Sequence, residues 1–266
     1  MLIASDETTI RGGQSSREED VVASQTEGST RTPSDQNTRD QILTVASNLF
    51  SLHGYFGTTT REIAQAVGVR QPSLFHHFES KAAIMEALLE YDLARSVPER
   101  ERIARSTESA AARLYRYLFD EVTHIAGSRY NLAGVYTQEV RASPEFEKWH
   151  RRRRRLHRAI ERILRDGVRS GEFVAFETYF VRESILGILG RTLTTYSGGQ
   201  QPFDPGLPDQ VATLVLRALL VDPSRLAEAR AVVGARPQDA GVSRRAPTSG
   251  DPVSGVITGN PFDQVK

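Results

Sequence analysis

Residues 39–81 read RDQILTVASNLFSLHGYFGTTTREIAQAVGVRQPSLFHHFESK. Ile42, Val45, Ala46, Leu49 and Phe50 recur at three- and four-residue spacing and form one apolar face, so a helix is expected from Thr38 to His53. Gly54 stands where a left-handed stop is needed, since glycine reaches positive φ without a Cβ clash. Thr59 and Glu62 have the spacing of a capping box, which predicts a short helix from Thr60 to Val67 with Ile63, Ala64 and Val67 facing inward. Gly68 makes the next turn. A third helix opens at Arg70-Gln71-Pro72-Ser73, where proline is tolerated because the first turn has no intrahelical N–H bond to lose. Leu74, Phe75 and Phe78 anchor it, and Ser80 caps a fourth helix starting at Lys81. Two short helices joined by a glycine turn, the second with a polar edge, have the layout of a helix-turn-helix, which sets one helix into the major groove of DNA.

The runs GYFGTTTREIA, AVGVR and LFHHFESK, taken together, resemble the DNA-binding domain of TetR-family transcriptional regulators across residues 39–90. The resemblance implies DNA contacts from Thr60, Arg70, Gln71, Ser73, Phe75, His76, His77 and Lys81. In one respect the chain departs from the family pattern. The pair before the final histidine is usually tyrosine, and here it is Phe75 and His76. Phe75 has no hydroxyl to offer a phosphate, and His76 is the donor that can replace it.

The residue types fit those roles on their own chemistry. Thr60 and Ser73 donate short hydrogen bonds to phosphate oxygens, helix N-termini add backbone donors, and Lys81 supplies a flexible point charge. Gln71 places donor and acceptor side by side for an adenine edge, and Arg70 matches guanine. Plainer roles stand beside these. Thr59 is read as a cap alone, Arg70 is either a base reader or a solvated side chain, and His77 either faces DNA or packs against the first helix. Adjacent histidines point in different directions on a helix, which argues against a metal site.

The 266 residues hold 39% apolar side chains, distributed unevenly. Residues 1–36 and 234–266 are polar or rich in proline and glycine and are expected to be disordered, leaving a head at 37–82 and a larger helical part at 83–233. There is no cysteine, hence no disulfide or thiol chemistry. No signal pattern and no apolar run of membrane-spanning length is found, so a cytoplasmic protein is expected. The net charge of +1 is small for a DNA binder, and the charges between Arg39 and Lys81 nearly balance. Affinity must then come from placed contacts and from two copies acting together.

From Ser80 onward the pattern is helical, which makes the chain all-α: a three-helix head and a larger helical part, for which the resemblance implies ligand binding and dimerisation. Helices are expected at Ser80–Ser96, Glu99–Arg105, Ser109–Gly127, Asn131–Ala142, Pro144–Ser170, Glu177–Ser197 and Pro208–Leu220, with a short one at Pro223–Val232. The helix after Ser143 contains five consecutive arginines, Arg151 to Arg155. Its apolar stripe of Phe146, Trp149, Leu156, Ile160, Ile163 and Leu164 leaves most of them on a solvated face. Arg152 or Arg153 lies near the stripe, and an inward arginine favours a ligand with a carboxylate or phosphate. Candidate pocket residues are Phe119, Val122, Tyr130, Tyr136, Phe146, Trp149 and Arg153, with ordinary core packing as the alternative for the aromatic ones.

The helices Glu177–Ser197 and Pro208–Leu220 are apolar over more of their circumference than one core contact requires. In TetR-like proteins the last two long helices form a four-helix dimer interface. The resemblance therefore implies contacts from Tyr179, Ile185, Leu186, Leu189 and Leu193 on the first, and from Val211, Leu214, Val215 and Ala218 on the second. Burial within one chain is the alternative. The expectation is a homodimeric repressor on a palindromic operator in double-stranded DNA, released by a small-molecule effector. A regulator without a small effector, controlled by a partner or acting as an activator, stands beside it. No nucleophile elbow, glycine-rich phosphate loop, metal-spaced ligand set or carboxylate pair is present, so neither catalysis nor a cofactor is expected.

Overall fold

A computed structural model of the chain describes residues 33–199 and 201–234. Among these residues ten α-helices follow one another: α1 Pro33–His53, α2 Thr60–Val67, α3 Gln71–His77, α4 Lys81–Arg105, α5 Ala110–Ala126, α6 Gln138–Ala142, α7 Glu147–Arg169, α8 Thr178–Tyr196, α9 Leu207–Leu219 and α10 Arg225–Gly234. There is no β-sheet among them, only an isolated bridge between Phe173 and Leu220. The fold is all-α, with a helix-turn-helix head followed by a larger helical body. The disordered segments expected at 1–36 and 234–266 lie outside the described residues, except that 33–36 and 234 are helical.

Local chemistry explains the head. Thr59 Oγ1 accepts from Glu62 N at 3.2 Å while Glu62 Oε2 accepts from Thr59 N at 2.7 Å, so both halves of the capping box form. Gly54 and Gly68 have φ of 75° and 81°, the left-handed values that their positions demand. Ile42, Ala46, Phe50, Ile63, Leu74 and Phe78 close a buried centre among the three helices.

In the body, α5 is the hub, packed against α4, α7, α8, α9 and α10. Its first turn is capped from far along the chain, because Glu172 accepts from Ala110 N and Ala111 N at 3.1 and 3.0 Å. Buried charges are paired: Arg100 with Glu121 at 3.0 Å, Arg113 with Asp166 at 3.0 Å and Arg116 with Glu108 at 2.8 Å.

Three expectations about elements need correction. The helix α1 starts at Pro33, ahead of Thr38. Pro98 does not break the chain, and α4 runs through it as one helix. A proline inside a helix costs about 3 kcal/mol, but Leu93, Val97 and Ile103 on either side are fully buried, and that burial outweighs the cost. The segment Asn131–Ala142 is not one helix. It is a 3-10 turn at Leu132–Val135, followed by the short α6.

That turn joins head to body. A Cβ on Gly134 would lie 2.3 Å from Ser51 N and 2.4 Å from Phe50 C, so the turn and α1 touch backbone to backbone. Asn131 N donates to Ser47 Oγ at 3.2 Å, Tyr130 donates to Asp40 at 3.2 Å, and Leu132 N donates to Ser197 Oγ at the end of α8. One continuous apolar core therefore runs from the head into the body.

Candidate nucleic-acid interface

The helix α3 presents one edge to solvent. Leu74 and Phe78 are buried, whereas Arg70, Gln71, Ser73, Phe75 and His76 are exposed and His77 is half-buried. The start of α3 is fastened to the start of α2 by a hydrogen bond from Gln71 Nε2 to Thr60 Oγ1 at 3.0 Å. Thr60 and Gln71 thus form one polar unit at the mouth of the turn, with the Gln71 side-chain oxygen still able to accept. Phe75 is 42% exposed, a large apolar surface on an otherwise polar edge. The His76 and His77 rings meet edge to face with centroids 5.4 Å apart.

Lys81 is more constrained than its type implies. Its ammonium donates to Tyr55 O and Thr58 O, both at 2.7 Å, and lies 4.5 Å from the centroid of the Tyr55 ring. Burial lowers its pKa, and the carboxylates of Glu145, Glu139 and Glu62 oppose that shift. Lys81 therefore ties α4 to the loop between α1 and α2, and one N–H remains for a phosphate. Residues around this tie escaped the sequence reading. Thr58 is fully buried and donates to Gly54 O at 2.8 Å. Tyr55 packs edge to face against Phe50 and Phe146, with centroids at 5.4 and 5.3 Å, and so pins the head to the body. A tyrosine directly after a helix-stop glycine was the available signal.

The other expected site residues divide. A cavity of about 560 Å³ opens between α6, α7 and α8, lined by Ala133, Tyr136, Arg141, His150, Arg153, Arg154, His157, Glu183, Leu186, Gly187, Gly190, Leu193 and Thr194. Of the residues expected in a pocket, Tyr136 and Arg153 are in this lining. Val122, Tyr130 and Phe146 are instead buried in the packed core, and Phe119 stacks on Tyr115. Trp149 lies beneath Lys148 and Arg152, packed against the cluster of Leu93, Val97 and Leu156. For Phe119 and Val122 the physical reason is that α5 is surrounded by other helices, so its aromatic and branched residues meet side chains and not open space.

The cavity wall is electrostatically unusual. The Tyr136 hydroxyl donates to Asp92, a buried carboxylate on α4, and the other Asp92 oxygen lies 3.0 Å from His124 Nε2 on α5. Burial alone would raise the Asp92 pKa, but His124, Tyr136 and Arg153 outweigh it and hold it low. Burial would lower His124, and Asp92 outweighs that and raises it. Burial together with the charges of Arg153 and Arg182 pushes His157 down to about 4, so it stands neutral at pH 7.

The expected interface residues divide as well. Tyr179 and Leu214 are each 62% exposed, and Ala218 is exposed beside Leu214 on α9. Ile185, Leu189, Leu193, Val211 and Val215 face the chain's own core, with Leu186 half-buried at the cavity. Phe180 at the start of α8, 69% exposed, and Val221 just after α9 are open apolar residues as well. A Cβ on Gly187 or Gly190 would meet nothing within 4 Å, so α8 offers a flat strip for close approach.

Comparison with known proteins bears on both parts of the chain. The family model described as "Bacterial regulatory proteins, tetR family" matches residues 42–88, and that described as "Tetracyclin repressor-like, C-terminal domain" matches residues 107–219. The HTH-type transcriptional repressor KstR2 of Mycolicibacterium smegmatis is 28% identical over 141 residues, which is 51% of this chain and 67% of that protein. Among solved structures, AmtR of Mycobacterium smegmatis superposes with a TM-score of 0.63 at 26% identity, covering 79% of this chain and 99% of that one. The regulator FadR of Bacillus subtilis, in complex with stearoyl-CoA, has a TM-score of 0.50 at 23% identity, covering 67% and 97% of the two chains.

Proposed function

The chain belongs to the tetR family of bacterial regulatory proteins and is a DNA-binding transcriptional regulator, not an enzyme; on that premise we propose that it acts in the cytoplasm as a homodimeric repressor, released from a palindromic operator by a small molecule. Support for the reading comes foremost from the Thr60–Gln71 unit, which holds a solvent-facing polar edge on a helix whose other side is locked into the core. Such an edge reads only a few base pairs. Two copies related by a two-fold axis read two half-sites, about 34–36 Å or a multiple of that apart. The exposed apolar face of Tyr179, Phe180, Leu214 and Val221 is the surface on which a second copy would pack. In this arrangement Thr60, Ser73, His76, His77 and the remaining N–H of Lys81 contact phosphates, Gln71 and Arg70 face base edges, and Phe75 adds apolar contact.

The effector occupies the body cavity beside α8. FadR of Bacillus subtilis holds a small molecule in its own structure, and the cavity here is large enough for one. A ligand that prefers the non-operator spacing shifts the population by that difference in affinity alone.

Selection of bound duplexes from random DNA tests the reading. The expected product is a pair of inverted half-sites. Gln71→Ala lowers discrimination at one base-pair position per half-site by about 1–3 kcal/mol and leaves the others alone. Repetition in the presence of metabolite pools should recover one that releases the selected duplex. No preference for any duplex, or a motif without inverted symmetry, rejects the proposal.

A further inference from the structure

Four of the five arginines Arg151 to Arg155 are engaged by carboxylates. Arg151 and Arg154 reach Glu147 at 3.8 and 2.7 Å, Arg152 reaches Glu90 at 2.6 Å and Arg155 reaches Glu101 at 2.6 Å. Arg153 makes no ion pair among the described residues. Its guanidinium lies 3.6 Å from the centroid of the Tyr136 ring, in the cavity wall. Arg141, also in the lining, makes none either, and the acidic lining residue Glu183 is already held by Arg182 at 2.7 Å. The rest of the wall includes the apolar Leu186 and Leu193. The half-buried Arg153 also bonds the Tyr136 hydroxyl and is felt by Asp92 beyond it, but no carboxylate among the described residues takes its planar fork, which fits a carboxylate or phosphate.

We propose that this cavity takes an amphipathic organic anion, a carboxylate or phosphate on an apolar body, with its charge met by Arg153, and that Tyr136 and Asp92 pass the event to α4. Drawing Arg153 towards an anion removes the cation from the Tyr136 ring. The Tyr136 hydroxyl donates to Asp92, which is buried in the helix joining head to body and pairs with His124 of α5. A shift of Tyr136 is therefore felt by both helices at once. The relay rests on the effector reading above; the binding does not.

Calorimetric titration of the full chain with decanoate, decyl phosphate and decanol tests the site. Decanoate or decyl phosphate should bind, and decanol at least ten-fold more weakly. Arg153→Gln should weaken the anion roughly ten-fold or more, the loss of a charged hydrogen bond, while Arg153→Lys should weaken it less. Binding of either anion without the other identifies the head group. Equal or tighter binding of decanol, absence of binding by all three, or no change on Arg153→Gln overturns the site. The three wild-type titrations decide this even if a variant fails to fold.

Gel-shift measurements on a selected duplex separate the two claims. Where the bound anion releases the wild-type chain, Asp92→Asn should bind the anion but resist release, and equal release from that variant refutes the relay. An anion that binds through Arg153 yet never releases the duplex refutes both the relay and the effector reading, and leaves the site standing. Release by a neutral metabolite, with no anion bound, leaves the effector reading standing and ends this inference.

Discussion

Lys81 shows how a residue's type and its surroundings divide the work. At the start of α4, next to the recognition helix, a lysine reads from sequence as a phosphate contact. In the fold two of its three N–H groups already bind the carbonyls of Tyr55 and Thr58. Hydrogen bonds from a charged donor contribute about 1.5–3 kcal/mol, and leaving a buried carbonyl without one adds to the loss. Lys81→Met should therefore lower stability by about 2 kcal/mol, measured as a fall in the urea midpoint without DNA present. An unchanged midpoint would show that the tie is ornamental and that Lys81 serves DNA alone. Arg153 makes the converse case. Five identical side chains are indistinguishable by composition, yet four find glutamates on α4 and α7 and one does not.

Among the elements, the turn at Leu132–Val135 decides how the head sits. Its glycine brings two backbones together, as the 2.3 Å separation between a Gly134 Cβ and Ser51 N requires. Gly134→Ala should push α1 away from the turn at a cost of about 1–3 kcal/mol, the range for overpacking a filled site. Hydrogen exchange should then rise along α1 more than along α7. Uniform protection in both helices would mean that the close approach at Gly134 does not set the position of α1. The helix α4 teaches a related lesson. Its sequence contains a break at Pro98, but the buried residues on both sides keep it a single rod from the head to the far end of the body. A rod of that length transmits displacement where two jointed helices would absorb it.

For the whole molecule, the question is what covers the outer faces of α8 and α9. Leu214, Tyr179 and Phe180 are more than half exposed, although their neighbours on the same helices are buried. Leu214→Glu adds a charge that a two-fold interface would bring against its own copy. Sedimentation equilibrium should find the variant as a single chain where the wild type runs as a pair, and its preference for inverted half-sites should fall with it. A variant that pairs as well as the wild type would place the interface elsewhere.

The head was legible from residues because its signals are local. A cap three residues from its partner, glycine at a helix stop, and apolar spacing along one face each act within a few residues, so the order of residues implies them directly. The all-α class followed for the same reason. The tie of Lys81, the backbone contact at Gly134, the seat of Arg153 over Tyr136 and the division of α8 into inner and outer residues depend on segments that lie apart in the chain. Periodicity tells that a helix has an apolar side; it does not tell which part of that side meets its own core and which part meets solvent. Val122, Tyr130 and Phe146 are as apolar as a binding wall needs, yet in the fold they are buried in the packed core and do not line the open cavity. Local geometry is written in neighbouring residues, whereas burial and charge pairing are settled only when distant helices come together.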